Sequence, residues 1–165
     1  MAAYKVSMKA IDEEFERLMK IRQIELAIED RKFLKTAWDS LASKTLVDLR
    51  GPMNRSLIHY ASMGDCSELI RYLLLSNVAV DARDRNKRTP LSWAAEYASL
   101  NVVKILLLNG AEINSTDDMY TTPLSWLLGA GPLNKSAETE AYLRKMGGKE
   151  KGMKRRWILK KLHLF

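Results

Sequence analysis

Few side chains in this 165-residue sequence have the means to do chemistry: two histidines (His59 and His163), one cysteine (Cys66), and the adjacent carboxyl and phenol of Glu96 and Tyr97. A histidine titrates near neutrality and serves as a general base, and a cysteine becomes a strong nucleophile when such a base stands beside it. Cys66 has no histidine near it in sequence. A single cysteine makes neither an intramolecular disulfide nor a multi-cysteine zinc site, so Cys66 reads as a small buried or half-buried residue. No glycine-rich phosphate loop follows a strand, and no His, Cys, Asp and Glu spacing has a metal-ligand pattern. Glu96 with Tyr97 remains as an acid and a donor for a reaction without metal, and the same pair also suits a binding surface. No catalytic residue, metal or cofactor is assigned.

What positions these residues is set by two stretches that both read Thr-Pro-Leu-Ser-Trp, Thr89 to Trp93 and Thr122 to Trp126, 33 residues apart. The same step carries backward. Arg55, Ser56, Leu57, Ile58, His59, Tyr60 and Ala61 fall on Arg88 through Ala94, Val47, Asp48 and Arg50 on Val80, Asp81 and Arg83, and Leu73 to Leu75 on Leu106 to Leu108. An offset kept outside the motif is the signature of a stacked repeat. Within a unit, Thr89 is placed to cap a helix, with Pro90 in its first turn, where the missing N–H does no harm. Leu91, Ala94 and Ala95 give a short helix with a small-residue face, and Val102, Val103, Ile105, Leu106 and Leu107 give the buried side of a second. Gly110 ends that second helix in the left-handed conformation, and Asn77 does so one unit earlier.

The rest of the chain is divided on this frame. Ile11, Phe15, Leu18, Ile21, Ile24 and Ile28 form a stripe predicting one amphipathic helix over residues 8–30, and Phe33 to Leu41 predict another over 33–42. The expected parts are an N-terminal helical cap (1–22), a degenerate repeat (23–55), two regular repeats (56–88 and 89–121), a divergent repeat (122–148) and a basic amphipathic tail (149–165). In the divergent unit Leu127 and Leu128 replace the alanine pair, and Gly129, Gly131 and Pro132 predict a longer loop before the last helix.

The net charge of +7 is confined to one end: residues 144–165 carry +8, leaving −1 over the preceding 143. No apolar run reaches the length of a membrane span, and Asp12, Glu13, Glu14 and Glu16 stand where a signal peptide needs apolar residues, so an intracellular location, cytoplasmic, nuclear or both, is expected. The tail has Ile158, Leu162 and Phe165 at helical spacing among Lys154, Arg155, Arg156, Lys160 and Lys161. It reads either as a helix capping the last repeat or as a basic segment for an anionic membrane, an acidic partner or nuclear import. Nucleic acid is disfavoured as a partner because the repeat body adds no positive field to the tail.

A 33-residue period, two helices per unit and a Thr-Pro-Leu opening resemble the ankyrin repeat. The Ser-Trp-Ala-Ala continuation resembles a variant frequent in fungal ankyrin-repeat proteins. The resemblance implies an all-α ankyrin-repeat solenoid of about three to four units, with a helical N-terminal cap and a basic C-terminal helix. It further implies protein binding through hairpin tips and the exposed, concave side of the first helices. In frame, the tips are Pro52, Met53 and Arg55, then Arg85, Asn86 and Arg88, then Asp118, Met119 and Thr121. The helix positions are Met63 and Gly64, Glu96 and Tyr97, Gly129 and Ala130, and Met53, Met63, Tyr97 and Met119 suggest an apolar contact stripe. Tyr60, Trp93 and Trp126 stand where the family usually has Leu and read as core or inter-repeat packing. His59 stands where the family uses His for hydrogen bonds between units. The competing readings are a small-molecule site or enzyme using the groove around Glu96, Tyr97 and His59, and membrane or nucleic-acid association through the tail.

Overall fold

In a computed structural model, which describes residues 7–20, 26–42, 49–134 and 136–152, every regular element is helical. The repeating part begins with the local chemistry of its caps. Thr89 Oγ1 accepts the Ser92 N–H (3.3 Å) and Thr122 Oγ1 accepts the Ser125 N–H (3.4 Å), with proline in the first turn each time. These start α5 (Pro90–Glu96) and α7 (Pro123–Leu128); α3 (Leu57–Met63) starts instead from Ser56, whose N–H donates to His59 Nδ1 at 3.1 Å. The three short helices stack in one row, where Ala61, Ala94 and Ala95 are fully buried and let the backbones approach.

The second helices, α4 (Ser67–Leu75), α6 (Leu100–Leu108) and α8 (Ala137–Lys145), form the other row, burying Leu69, Ile70, Leu73, Val102, Val103, Leu106 and Leu143. Asn77 (φ 62°) and Gly110 (φ 85°) take the left-handed conformation after α4 and α6, as the sequence predicts. Between the two helices of a unit the left-handed residues are Asp65 (φ 50°) and Ala98 (φ 54°), while Gly64 is not left-handed. Asp65 also reaches into the next unit, where its carboxylate accepts the Val102 N–H (3.0 Å) at the start of α6. In the divergent unit α8 begins 14 residues after the start of α7, against 10 from α5 to α6. The added length is the loop with its tight turn Pro132–Asn134.

The N-terminal stripe does not make one helix. α1 (Met8–Lys20) ends well before residue 30, residues 21–25 with Ile21 and Ile24 lie outside the described residues, and Ile28 opens α2 (Ile28–Ala42) at 69% exposure. Asp30 accounts for the new start, since its carboxylate accepts the Ala27 N–H (3.0 Å) and the Tyr60 hydroxyl (2.5 Å), a negative charge in a first turn. α1 packs on α4 and α3, with Ile11, Phe15 and Leu18 buried and Phe15 stacked on Trp38 of α2 at 4.2 Å. Glu14 of α1 accepts the N–H groups of Glu68 (3.1 Å) and Leu69 (2.9 Å), so it does for α4 what Asp65 does for α6. At the other end residues 147–151 lie along the last unit: Asn114 Nδ2 donates to the Gly147 carbonyl (3.0 Å), Lys149 N–H to Asn114 Oδ1 (2.7 Å) and Lys151 N–H to Ser125 Oγ (2.8 Å). Of the basic tail expected over 149–165, residues 149–152 are not helical, and 153–165, with Ile158, Leu162 and Phe165, lie outside the described residues.

One position tests how the N-terminal helices dock. A Cβ on Gly51 would stand 2.4 Å from the Phe33 ring, far inside van der Waals contact. Gly51→Ala is expected to lower stability by about 1–3 kcal/mol through overpacking. Adding Phe33→Leu should recover part of that loss in thermal melts, and no recovery would contradict the placement of α2.

Candidate functional site

The hairpins between units are built around two aspartates that share the repeat frame. Asp84 Oδ1 accepts the N–H groups of Asn86 and Arg88, both at 2.9 Å, and its Oδ2 accepts the Trp93 indole N–H at 3.0 Å. Asp117 repeats the arrangement with Met119 (2.9 Å), Thr121 (2.8 Å) and Trp126 (3.0 Å). Both carboxylates are buried, 6% and 5% exposed, so each hairpin is pinned at its base to an aromatic ring of the first-helix row. The tips then couple to one another. Arg85 N–H donates to the Met53 carbonyl (2.8 Å) and Asp118 N–H to the Asn86 carbonyl (3.0 Å). Arg50 and Arg83 each reach one unit forward, to the carbonyls of Arg83 (3.2 Å) and Thr116 (2.6 Å).

The first hairpin departs from this plan in both partners at once. Gly51 stands in frame with Asp84, and Tyr60 with Trp93. The Phe33 ring packs 5.6 Å from that of Tyr60 and against Gly51, and Asp30 of α2 receives the Tyr60 hydroxyl in place of a hairpin aspartate. Burial and the Asp30 carboxylate together push the Tyr60 phenol well above its ordinary range.

The first-helix row carries a ladder of cations and rings. The Arg88 guanidinium lies 3.5 Å from the ring centres of both Trp93 and Trp126, and that of Arg55 lies 4.5 Å from Trp93. Arg88 also donates to Glu96 Oε2 at 2.6 Å and to the Ser92 carbonyl at 3.3 Å. Such contacts are worth about 0.5–2 kcal/mol each when water is excluded. Tyr97 continues the row, its ring 6.4 Å from Trp93.

Of the residues expected at the binding surface, Met53, Arg85, Asn86 and Asp118 are exposed, Met119, Glu96 and Tyr97 are half-buried, and Arg55 is half-buried between Trp93 and Asp30, from which its Nη1 stands 3.9 Å. Five expectations of exposure are corrected, since Arg88, Met63, Gly64, Thr121 and Ala130 are all buried. Arg88 is 4% exposed because two tryptophans and Glu96 enclose it, and Met63 is 4% exposed because the end of α3 meets the α5–α6 turn, where Ser99 Oγ donates to the Met63 carbonyl (3.3 Å). Asp84 and Asp117 are absent from the residues that the sequence singles out, although each stands nine residues before its tryptophan.

Glu96, Tyr97 and His59 do not form one cluster of reactive groups. His59 is fully buried, its Nδ1 accepting from Ser56 N–H and its Nε2 bonding the Ala82 carbonyl at 3.0 Å, a link between units. Burial lowers its pKa to about 4, more than the Asp84 charge raises it. Glu96 is paired with Arg88 at 2.6 Å. Cys66 is buried beneath α1, and its thiol is pushed up to about 12 by burial, with the Glu14 charge adding to the rise. Among the described residues, no three His, Cys, Asp or Glu are grouped to hold a metal ion, and no helix is long and apolar enough to cross a membrane.

Residues 26–117, more than half of the chain, match the family described as ankyrin repeats (3 copies). No curated protein matches the chain.

Proposed function

The chain belongs to the ankyrin-repeat family, whose repeats are generally protein–protein interaction modules, and on that premise we propose that it is a small intracellular adaptor or regulator, cytoplasmic, nuclear or both. It binds its partner through the hairpin tips and the concave helix face. The observation that carries this reading is the row of hairpins, which presents Arg85, Asn86 and Asp118 to solvent on bases fixed by Asp84 and Asp117, with Met53 tied to the second tip through its carbonyl. A surface held rigid before contact loses less entropy on binding, and varied side chains on such a base give specificity. The groove itself favours contact over catalysis, because the Glu96 carboxylate is engaged by Arg88 and His59 is turned inward.

Met53→Ala, Arg85→Ala and Met119→Ala together are expected to leave the melting temperature near that of the wild type. Recovery of cross-linked partners should fall at least about tenfold, the scale of a lost anchor of about 1.4 kcal/mol. Recovery unchanged by the triple substitution would reject the hairpin surface.

A further inference from the structure

Three residues in one frame position, Asn54, Lys87 and Tyr120, sit at the hairpin tips with left-handed backbones, φ 55°, 59° and 59°. Lysine and tyrosine are poorly suited to that conformation, which their Cβ crowds and which glycine adopts freely. Where the second helices close, the chain meets the same backbone demand with the residues that tolerate it, Gly110 and Gly147 (φ 85° and 90°) and Asn77. At the tips it holds bulky side chains in a strained backbone that the buried Asp84 and Asp117 enforce, the Lys87 and Tyr120 N–H groups closing the turns onto the Asp84 (3.0 Å) and Asp117 (3.1 Å) carbonyls. The side chains so displayed are exposed, Tyr120 by 59%.

Their charges make a pattern that the −1 balance of the repeat body hides. Arg85 and Lys87 stand on the second tip, and neither makes an ion pair among the described residues. Past the third tip, Gly152 lies against the Tyr120 carbonyl and Thr121, and the Lys151 carbonyl accepts the Thr122 N–H at 3.2 Å. This brings the exposed Lys151 to the far side of Tyr120, so an aromatic ring is flanked along the row by cations on both sides. Asp118 interrupts the row with one exposed negative charge. A flat anionic bilayer would be repelled at that point, whereas a chain with its own sequence of charges can match it.

We propose that Arg85, Lys87, Tyr120 and Lys151 form a recognition row for an extended acidic protein segment, with Asp or Glu side chains on either side of an apolar residue that packs on Tyr120. This deepens the reading of the hairpins as a protein-binding surface and rests on it. The lysine and tyrosine are kept at left-handed positions because they touch the partner, at a cost to the fold.

The test uses the full chain and a phage-displayed library of random 12-residue peptides, followed by fluorescence anisotropy with the enriched peptides. Enriched sequences should be rich in Asp and Glu around an apolar residue. Lys87→Gly and Tyr120→Gly should each raise the melting temperature by about 2–4 °C, because the strain is removed. Each should weaken peptide binding at least about fivefold. A melting temperature that does not rise removes the evidence of stored strain and overturns the proposal. So does enrichment of peptides without acidic residues, binding indifferent to both substitutions, or no enrichment at all. If the Met53, Arg85 and Met119 triple variant still loses its cross-linked partners in those cases, the hairpin surface stands and only the acidic-segment assignment fails; if it keeps them, the wider reading fails too. Vesicles of phosphatidylcholine with phosphatidylserine serve as the second probe, and binding to them that is abolished by Lys87→Gly, with no acidic peptide enriched, would replace the protein partner by a membrane.

Discussion

Replacing Asp84 with alanine is expected to remove about 3 kcal/mol of stability, as read from urea denaturation. The change orphans three donors at once, the buried Arg88 N–H and Trp93 indole N–H and the part-buried N–H of Asn86, each within 3.0 Å of the carboxylate. Unsatisfied buried donors cost about 1–3 kcal/mol each, and partial relaxation of the exposed hairpin keeps the total near the lower sum. Asp84→Asn is the sharper variant. Its single carbonyl oxygen can serve the backbone donors or the indole, and its NH2 then faces whichever is left, so about half the loss should remain. A double-mutant cycle with Trp93→Phe isolates the pin itself: with the indole donor gone, Asp84→Ala should cost about 1 kcal/mol less than it does in the wild type. Strict additivity would mean that the hydrogen bond between hairpin and helix contributes nothing. Loss of the pin should also weaken partner binding through the second tip, because Arg85 and Lys87 are aimed by the turn that Asp84 closes.

That pin also marks the limit of what the sequence makes legible. The repeat frame, the threonine caps, the prolines that start α5 and α7, and the left-handed Asn77 and Gly110 can be read because each follows from a residue's own backbone chemistry. Asp84 reads as part of a polar connection, since an aspartate in a loop is ordinarily solvated. The signal that it carries is relational: Asp84 and Asp117 keep the same nine-residue distance to Trp93 and Trp126, and the unit lacking the aspartate, at Gly51, also lacks the tryptophan, at Tyr60. Arg88 is misread for a similar reason. A basic residue ahead of a capped helix reads as an exposed tip, and only the stacking of two units brings Trp93 and Trp126 to either side of it. The break between α1 and α2 is hidden because apolar spacing runs on through Ile21, Ile24 and Ile28, although Asp30 is in place to cap a new helix.

His59 should make stability fall with acid, and its neighbours set the direction. Its ring is buried, its Nδ1 accepts from Ser56 N–H and stands 3.0 Å from Ser56 Oγ, and its Nε2 therefore carries the proton donated to the Ala82 carbonyl. A second proton would have to enter at Nδ1, breaking the bond to the Ser56 N–H, in a site where burial outweighs the favourable charge of Asp84 and where Arg50 opposes it. The folded pKa of about 4 lies below the ordinary 6.5, so between these values the unfolded chain binds more protons than the folded one and stability rises with pH. The full contribution is present above pH 6.5, declines as pH falls, and is lost by about pH 4, an interval worth about 3 kcal/mol. About 2 kcal/mol of that should be gone by about pH 5. The repeat supplies its own control, since Ser92 and Ser125 occupy the frame position of His59. His59→Ser is expected to cost about 1–2 kcal/mol at pH 8 through lost packing and the lost link to Ala82. It should also flatten the dependence of the urea midpoint between pH 8 and pH 5, and a slope equal to the wild-type slope would assign the acid sensitivity to another group. Acid thus opposes the bond that Nδ1 accepts from the Ser56 N–H, because a second proton takes that nitrogen's lone pair, whereas the Nε2 donor that joins two repeats through Ala82 is present without it.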